Sequence, residues 1–144
     1  SSVQGQLVDV SAIYSTGTAF AALKNDGSVV TWGDSRYGGD SSSVQGQLTD
    51  VNTIYSSGTV FSALKSDGSV VTWGDSGNGG DSSSVQGQLT DVSVIYPGSY
   101  AFAALKNDGS VVTWGNSHYG GDSSSVQNEF GGFNVIYLEL DYQF

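Results

Sequence analysis

The chain has 144 residues, 38% of them hydrophobic and 12% aromatic, which is enough apolar surface for one folded domain with a real core. Fourteen acids face four bases, for a formal net charge of −10. That balance excludes nucleic acid as a partner and disfavours an anionic membrane surface, because both affinities rest on Lys and Arg meeting phosphates.

With no Cys, the chain has no disulfide, thiolate metal site or redox centre. No apolar run approaches the roughly 18 residues needed to cross a membrane. Cations, neutral glycans and a basic protein partner remain compatible with the charge, as does solubility alone. The compartment is left open, with an exported or extracellular protein preferred.

An internal repeat dominates. Trp32, Trp73 and Trp114 recur every 41 residues, and so do Val3, Val44 and Val85. Residues 3–43 match residues 44–84 at 32 of 41 positions without an insertion, so both must adopt one fold. The units are 3–43, 44–84 and 85–125, followed by a divergent partial unit and terminal cap over 126–144. End repeats commonly protect an otherwise open face.

In chain order, each unit carries three strand signals. In residues 7–14, Val8, Val10, Ala12 and Tyr14 alternate with Asp9, Ser11 and Ile13; period two predicts a strand, with the aspartate on its polar face. Residues 18–24 are short and bounded by glycines, which favours a strand despite the alanines. Residues 28–32, Ser-Val-Val-Thr-Trp, are β-branched and aromatic. Between the last two lies Asn25-Asp26-Gly27, recurring as Ser66-Asp67-Gly68 and Asn107-Asp108-Gly109. Asp-Gly between β-formers predicts a hairpin, because Gly accepts the positive φ of a tight turn. The Gly-, Ser- and Asp-rich stretch 33–43 then reads as the loop to the next unit.

The string from Ala22-Leu23 through Asp26-Gly27 to Trp32-Gly33 resembles the most characteristic part of the regulator-of-chromosome-condensation repeat. It occurs three times. The closest likeness is to the three-stranded bacterial and algal variety, as in the secreted β-lactamase-inhibitor propeller. The resemblance implies blades of antiparallel sheet around an axis, with protein partners held by loops. Gly38-Gly39-Asp40-Ser41 departs from the family's Gly-Gln-Leu-Gly, and nothing matches a nucleotide-exchange surface, so architecture is carried over and that activity is not. Closed propellers need about 4–8 blades. Three units and a part therefore imply a partial propeller, or one completed by oligomerisation. The alternative is a pseudo-threefold β-trefoil or β-prism.

Catalysis is not expected. The one histidine, His118, stands where the other units have Arg36 and Gly77, and near-identical units do not readily supply the unlike groups of an active site. The acidic loop set is Asp34 and Asp40, Asp75 and Asp81, and Asp122 with Asn116. Its plainer role is turn bonding to backbone amides, and its functional alternative is Ca²⁺. The three tryptophans read as core, with a sugar-stacking platform as the alternative. Tyr37, Asn78 and Tyr119 vary at one loop position, Tyr100 replaces Thr18 and Thr59, and the tail carries Tyr142 and Phe144. These are the candidate contact residues. The function expected is a non-catalytic protein-binding or scaffolding module, self-association included; the alternative is an extracellular glycan- or calcium-binding adhesin-like module.

Overall fold

The computed structural model describes residues 3–130, and the expected cap over the tail, with Tyr142 and Phe144, lies outside the described residues. The fold is all-β. Strands β1 (Val10–Ser15), β2 (Ala19–Lys24) and β3 (Val29–Gly33) form one antiparallel sheet in sequence order. β4 (Val51–Ser56), β5 (Val60–Lys65) and β6 (Val70–Gly74) form a second. β7 (Val92–Pro97), β8 (Ala101–Lys106) and β9 (Val111–Gly115) form a third. Among the described residues no strand pairs across units and no barrel closes, which removes the trefoil alternative. Short 3-10 turns flank the sheets, and a single helical turn, α1 (Gln127–Phe130), stands where the earlier units have such a turn.

The Asp-Gly hairpin forms for the reason its chemistry gives. Gly27, Gly68 and Gly109 have φ of 84°, 85° and 87°, a region where a Cβ is strained. The Gly27 amide donates to the Lys24 carbonyl and the Lys24 amide to the Ser28 carbonyl, which is a turn closed by a bulge. Asp26 accepts from both the amide and the hydroxyl of Ser28, and Asp67 and Asp108 do the same with Ser69 and Ser110.

The first strand departs from the alternation read in residues 7–14. It begins only at Val10, because Asp9, Asp50 and Asp91 sit in the left-handed region with φ of 57°, 55° and 55°. These aspartates are therefore a twist before the strand and not part of its polar face. A β-bulge follows, in which the register passes from Val51↔Lys65 to Thr53↔Leu64. The extra residue reverses the parity, so Val51 and Ile54 point the same way. Ile54 and Ile95 are 2% and 1% exposed, although the period-two pattern puts their equivalent Ile13 among the outward residues.

The sheets stack face to face. The first joint packs Ala19, Ala21, Leu23 and Val29 of unit one against Leu48, Ile54, Phe61 and Trp73 of unit two. The second packs Val60, Leu64 and Val70 of unit two against Leu89, Ile95, Phe102 and Trp114 of unit three. Each sheet thus shows only aliphatic residues to the following unit, and a Phe–Trp pair with aliphatic neighbours to the preceding unit. Ile13, over which no described unit packs, is 60% exposed.

Candidate interaction surface

The loop after the third strand is built around glycines and varies in three positions, one of them only between aspartate and asparagine. Asp34, Asp75 and Asn116 cap a 3-10 turn by accepting from the amides of Arg36, Gly77 and His118. Gly38, Gly79 and Gly120 end it with φ of 106°, 113° and 104°. A Cβ on Gly39 would lie 2.3 Å from the Gly33 carbonyl oxygen, so the second glycine of the pair is required by close packing. The loop path is therefore the same in all three units, while Arg36-Tyr37, Gly77-Asn78 and His118-Tyr119 decorate it differently.

The structure brings some of the expected contact residues together and keeps others apart. Tyr100 and Tyr119 meet with ring centroids 4.8 Å apart, and they are 42% and 62% exposed. Asn78 donates to Asp75 and accepts from Asn116 Nδ2 at 3.4 Å, which links the loops of units two and three. Tyr37 is half-buried beneath the Arg36 guanidinium, 5.1 Å from its ring centre. Tyr100 owes its setting to copy three's local difference. Thr16 and Ser57 cap the second strand's start by accepting from Ala19 and Val60, while Gly98 has no side chain to do so.

Among the described residues no three His, Asp or Glu side chains converge on a metal position. Asp40, Asp81 and Asp122 take the turn role, accepting from the amides of Ser42, Ser83 and Ser124. Asp34 pairs with the Arg36 guanidinium, Nη2 to Oδ2 at 2.7 Å. That hydrogen bond holds the Asp34 carboxyl below its ordinary range, as the Ser42 hydroxyl does for Asp40. Trp73 and Trp114 are buried and cannot offer a stacking face to a sugar; each donates its indole N–H to the carbonyl of the preceding unit's turn glycine.

One feature escaped the sequence reading. Thr31, Ser41 and Gln45 form a polar relay, Thr31 to Ser41 at 2.8 Å, Ser41 to Gln45 at 2.7 Å, and Gln45 Nε2 on to the Val29 carbonyl at 3.0 Å. It recurs as Thr72, Ser82 and Gln86, and the same residues meet as Thr113, Ser123 and Gln127, where the Gln127 amide donates to the Ser123 hydroxyl instead. A shallow cleft lies over each relay, of about 410, 320 and 410 Å³ along the chain. The only signal in the sequence was Ser and Gln four residues apart in every unit.

No protein-family profile matches the chain, and no curated protein sequence does. Solved structures do match. Human WBSCR16 aligns with TM-score 0.51 and 25% identity over 74% of this chain and 34% of its own. The ectodomain of the Physcomitrella patens receptor kinase CR4 aligns with TM-score 0.51 and 19% identity over 75% and 30%. Yeast RCC1 (Prp20), in a crystal structure bound to Kap60, aligns with TM-score 0.50 and 18% identity over 74% and 29%. The fold is that of propeller-type repeats. The chain spans about a third of the length of each of these proteins.

Proposed function

We propose that the chain is a non-catalytic protein-binding or scaffolding module, of the three-stranded variety similar to secreted bacterial propellers. One observation carries the reading: a loop whose backbone is the same in three units presents Arg36-Tyr37, Gly77-Asn78 and His118-Tyr119 on it. Variation on the loops of a fixed scaffold supports recognition of a particular partner, because loops carry binding residues while the elements beneath them carry the fold. The exposed Tyr100–Tyr119 pair adds the rigid aromatic area that interface centres favour.

The test places unit two's residues in unit three, as Tyr100→Thr, His118→Gly and Tyr119→Asn together, a set the scaffold already accepts elsewhere. Capture from the native source is compared for wild type and variant. The wild type should retain a protein partner that the variant holds at least about tenfold less well, a loss of roughly 1.4 kcal/mol. Equal capture by both forms would refute the assignment of these residues. Heat from a Ca²⁺ titration, or retention on a glycan array, would favour the adhesin-like alternative instead.

A further inference from the structure

The geometry points to Asn78 as a site of spontaneous deamidation, where the Gly79 amide closes on the Asn78 side chain and leaves aspartate or isoaspartate at the second joint. The inference does not depend on what the loops bind; it concerns the covalent chemistry of unit two.

Four side chains in the three units stand before a glycine on which they can close a five-membered ring: Asp26, Asp67, Asp108 and Asn78. Glycine has no Cβ to shield its amide nitrogen. Three of the four are held back by their hairpins. The amides of Gly27, Gly68 and Gly109 donate to the carbonyls of Lys24, Lys65 and Lys106, each at 3.0 Å. The carboxylates accept from Ser28, Ser69 and Ser110, which draws each carboxyl below its ordinary range and keeps it ionised. An ionised carboxylate resists attack by a nitrogen nucleophile and has no good leaving group.

Asn78 differs on each count. The Gly79 amide makes no hydrogen bond among the described residues. The side-chain amide is neutral, and Asn116 Nδ2 approaches its oxygen at 3.4 Å, where negative charge gathers as the ring closes. One hydrogen bond, from Asn78 Nδ2 to Asp75 Oδ2 at 2.9 Å, has to be given up. The segment is the most glycine-rich of the three loops, since Gly77 stands where the others have Arg36 and His118, beside Gly79 and Gly80. Such a stretch opens locally to the ring-closing conformation at low cost.

The Gly79 nitrogen bonds to Asn78 Cγ and gives up its proton. The Cγ–Nδ2 bond breaks, and ammonia leaves with that proton. Water then opens the succinimide. Opening at one carbonyl leaves the peptide bond in place with aspartate; opening at the other routes the main chain through the β-carbon as isoaspartate. Both products bear on the second joint. A carboxylate at position 78 faces Asp75 across the distance the amide spans. Isoaspartate lengthens the main chain directly before Gly79. There a Cβ would already lie 2.7 Å from the Phe102 ring, and the Gly79 carbonyl accepts the Trp114 indole N–H at 3.2 Å.

Ageing the folded protein at neutral pH, followed by tryptic digestion and mass spectrometry, tests the site. The peptide over 66–106 has Asn78 as its sole asparagine. It should gain the mass of hydroxyl over amino at least about tenfold faster than any other asparagine-containing peptide, since only Asn78 precedes a residue without a Cβ. Fragmentation should place isoaspartate at residue 78. Asn78→Gln, whose longer side chain cannot close the same ring, and Asn78→Tyr, the residue of units one and three, should show neither change. The three Asp-Gly turns should stay unmodified over the same time. Urea denaturation of the aged protein should show a lower midpoint for the converted fraction, absent from aged Asn78→Tyr. Conversion of 66–106 no faster than elsewhere, deamidation without isoaspartate, or earlier isoaspartate at Asp26, Asp67 or Asp108 would each overturn the proposal. A converted chain that unfolds at the fresh protein's midpoint would overturn its link to the joint.

Discussion

The repeat carries its own control experiment in Ile13 and Ile54. They are the same residue at the same place in the same bulged strand, yet one is 60% exposed and the other 2%, because only the second has a unit packed over it. Ile54→Ala removes buried carbon from the first joint, next to Leu48, Val51 and Phe61, and leaves a cavity there. Such truncations cost about 2–5 kcal/mol, and a joint between two rigid sheets collapses poorly, so roughly 3 kcal/mol is expected. Ile13→Ala removes the same atoms from solvent and should cost under about 1 kcal/mol. For a chain of this length the difference corresponds to a gap of about 8 °C in melting temperature. Urea denaturation followed by Trp fluorescence would measure both, at a concentration where the chain is monomeric and with unchanged m-values confirming a common mechanism. Equal costs within about 0.5 kcal/mol would refute face-to-face stacking as the source of stability.

Other consequences are as direct. Ser62 is fully buried at the second joint with its hydroxyl unpaired among the described residues, where units one and three have Ala21 and Ala103; Ser62→Ala should raise stability by about 1–2 kcal/mol, read as a higher urea midpoint. Gly38→Ala should destabilise more than Gly120→Ala in the monomer, since both share the strained φ but only Gly38 faces a ring at 2.5 Å; a difference of about 1–3 kcal/mol in urea denaturation is expected. Trp73→Phe leaves the buried Gly38 carbonyl without its donor and should cost about 1–3 kcal/mol, whereas Trp32→Phe, with no such partner among the described residues, should cost clearly less. The Ser28 hydroxyl, then its amide, draws the Asp26 carboxyl below its ordinary 3.8, and Ser69 and Ser110 do the same for Asp67 and Asp108. A lowered carboxyl stabilises fully above 3.8 and loses that contribution as pH falls through its folded value. The stability gap between wild type and Asp26→Ala should therefore be widest at neutral pH and narrow in strong acid.

What could be read from sequence followed from local chemistry. Asp26-Gly27 announces its hairpin because only a positive φ closes that turn, and the β-branched run before Trp32 has few alternatives to a strand. The first strand was misjudged because its two decisive features carry no compositional mark. Asp9 adopts a left-handed backbone that the sequence more naturally assigns to glycine, and the bulge after Val10 changes which side chains face inward without changing any residue. The inward isoleucine followed from that bulge and was therefore hidden with it. The relay of Thr31, Ser41 and Gln45 was hidden differently: Ser and Gln in a Gly-rich stretch look like loop composition until the fold brings them to the third strand's edge. Tyr37, Asn78 and Tyr119 stand out as candidates because copies that agree almost everywhere disagree there, a comparison the chain makes with itself.

Near-identity of the units has a cost that lies at the ends. In a closed globule each large side chain finds a partner somewhere in the chain. In a stacked array every unit carries one face for its predecessor and one for its successor, so stability grows with each internal joint while the outer faces are left over. Here the first unit keeps the whole receiving apparatus, the Phe20–Trp32 stack and Ile13, although nothing in the described chain uses it. A lone domain under pressure for solubility would replace an open aromatic stack and a solvent-exposed isoleucine with polar residues. Unit one does not. Its sequence matches unit two at Phe61, Trp73 and Ile54, where those residues are buried. The physical sense of keeping them is that each unit is written with both faces of the same joint, whichever of its neighbours is present.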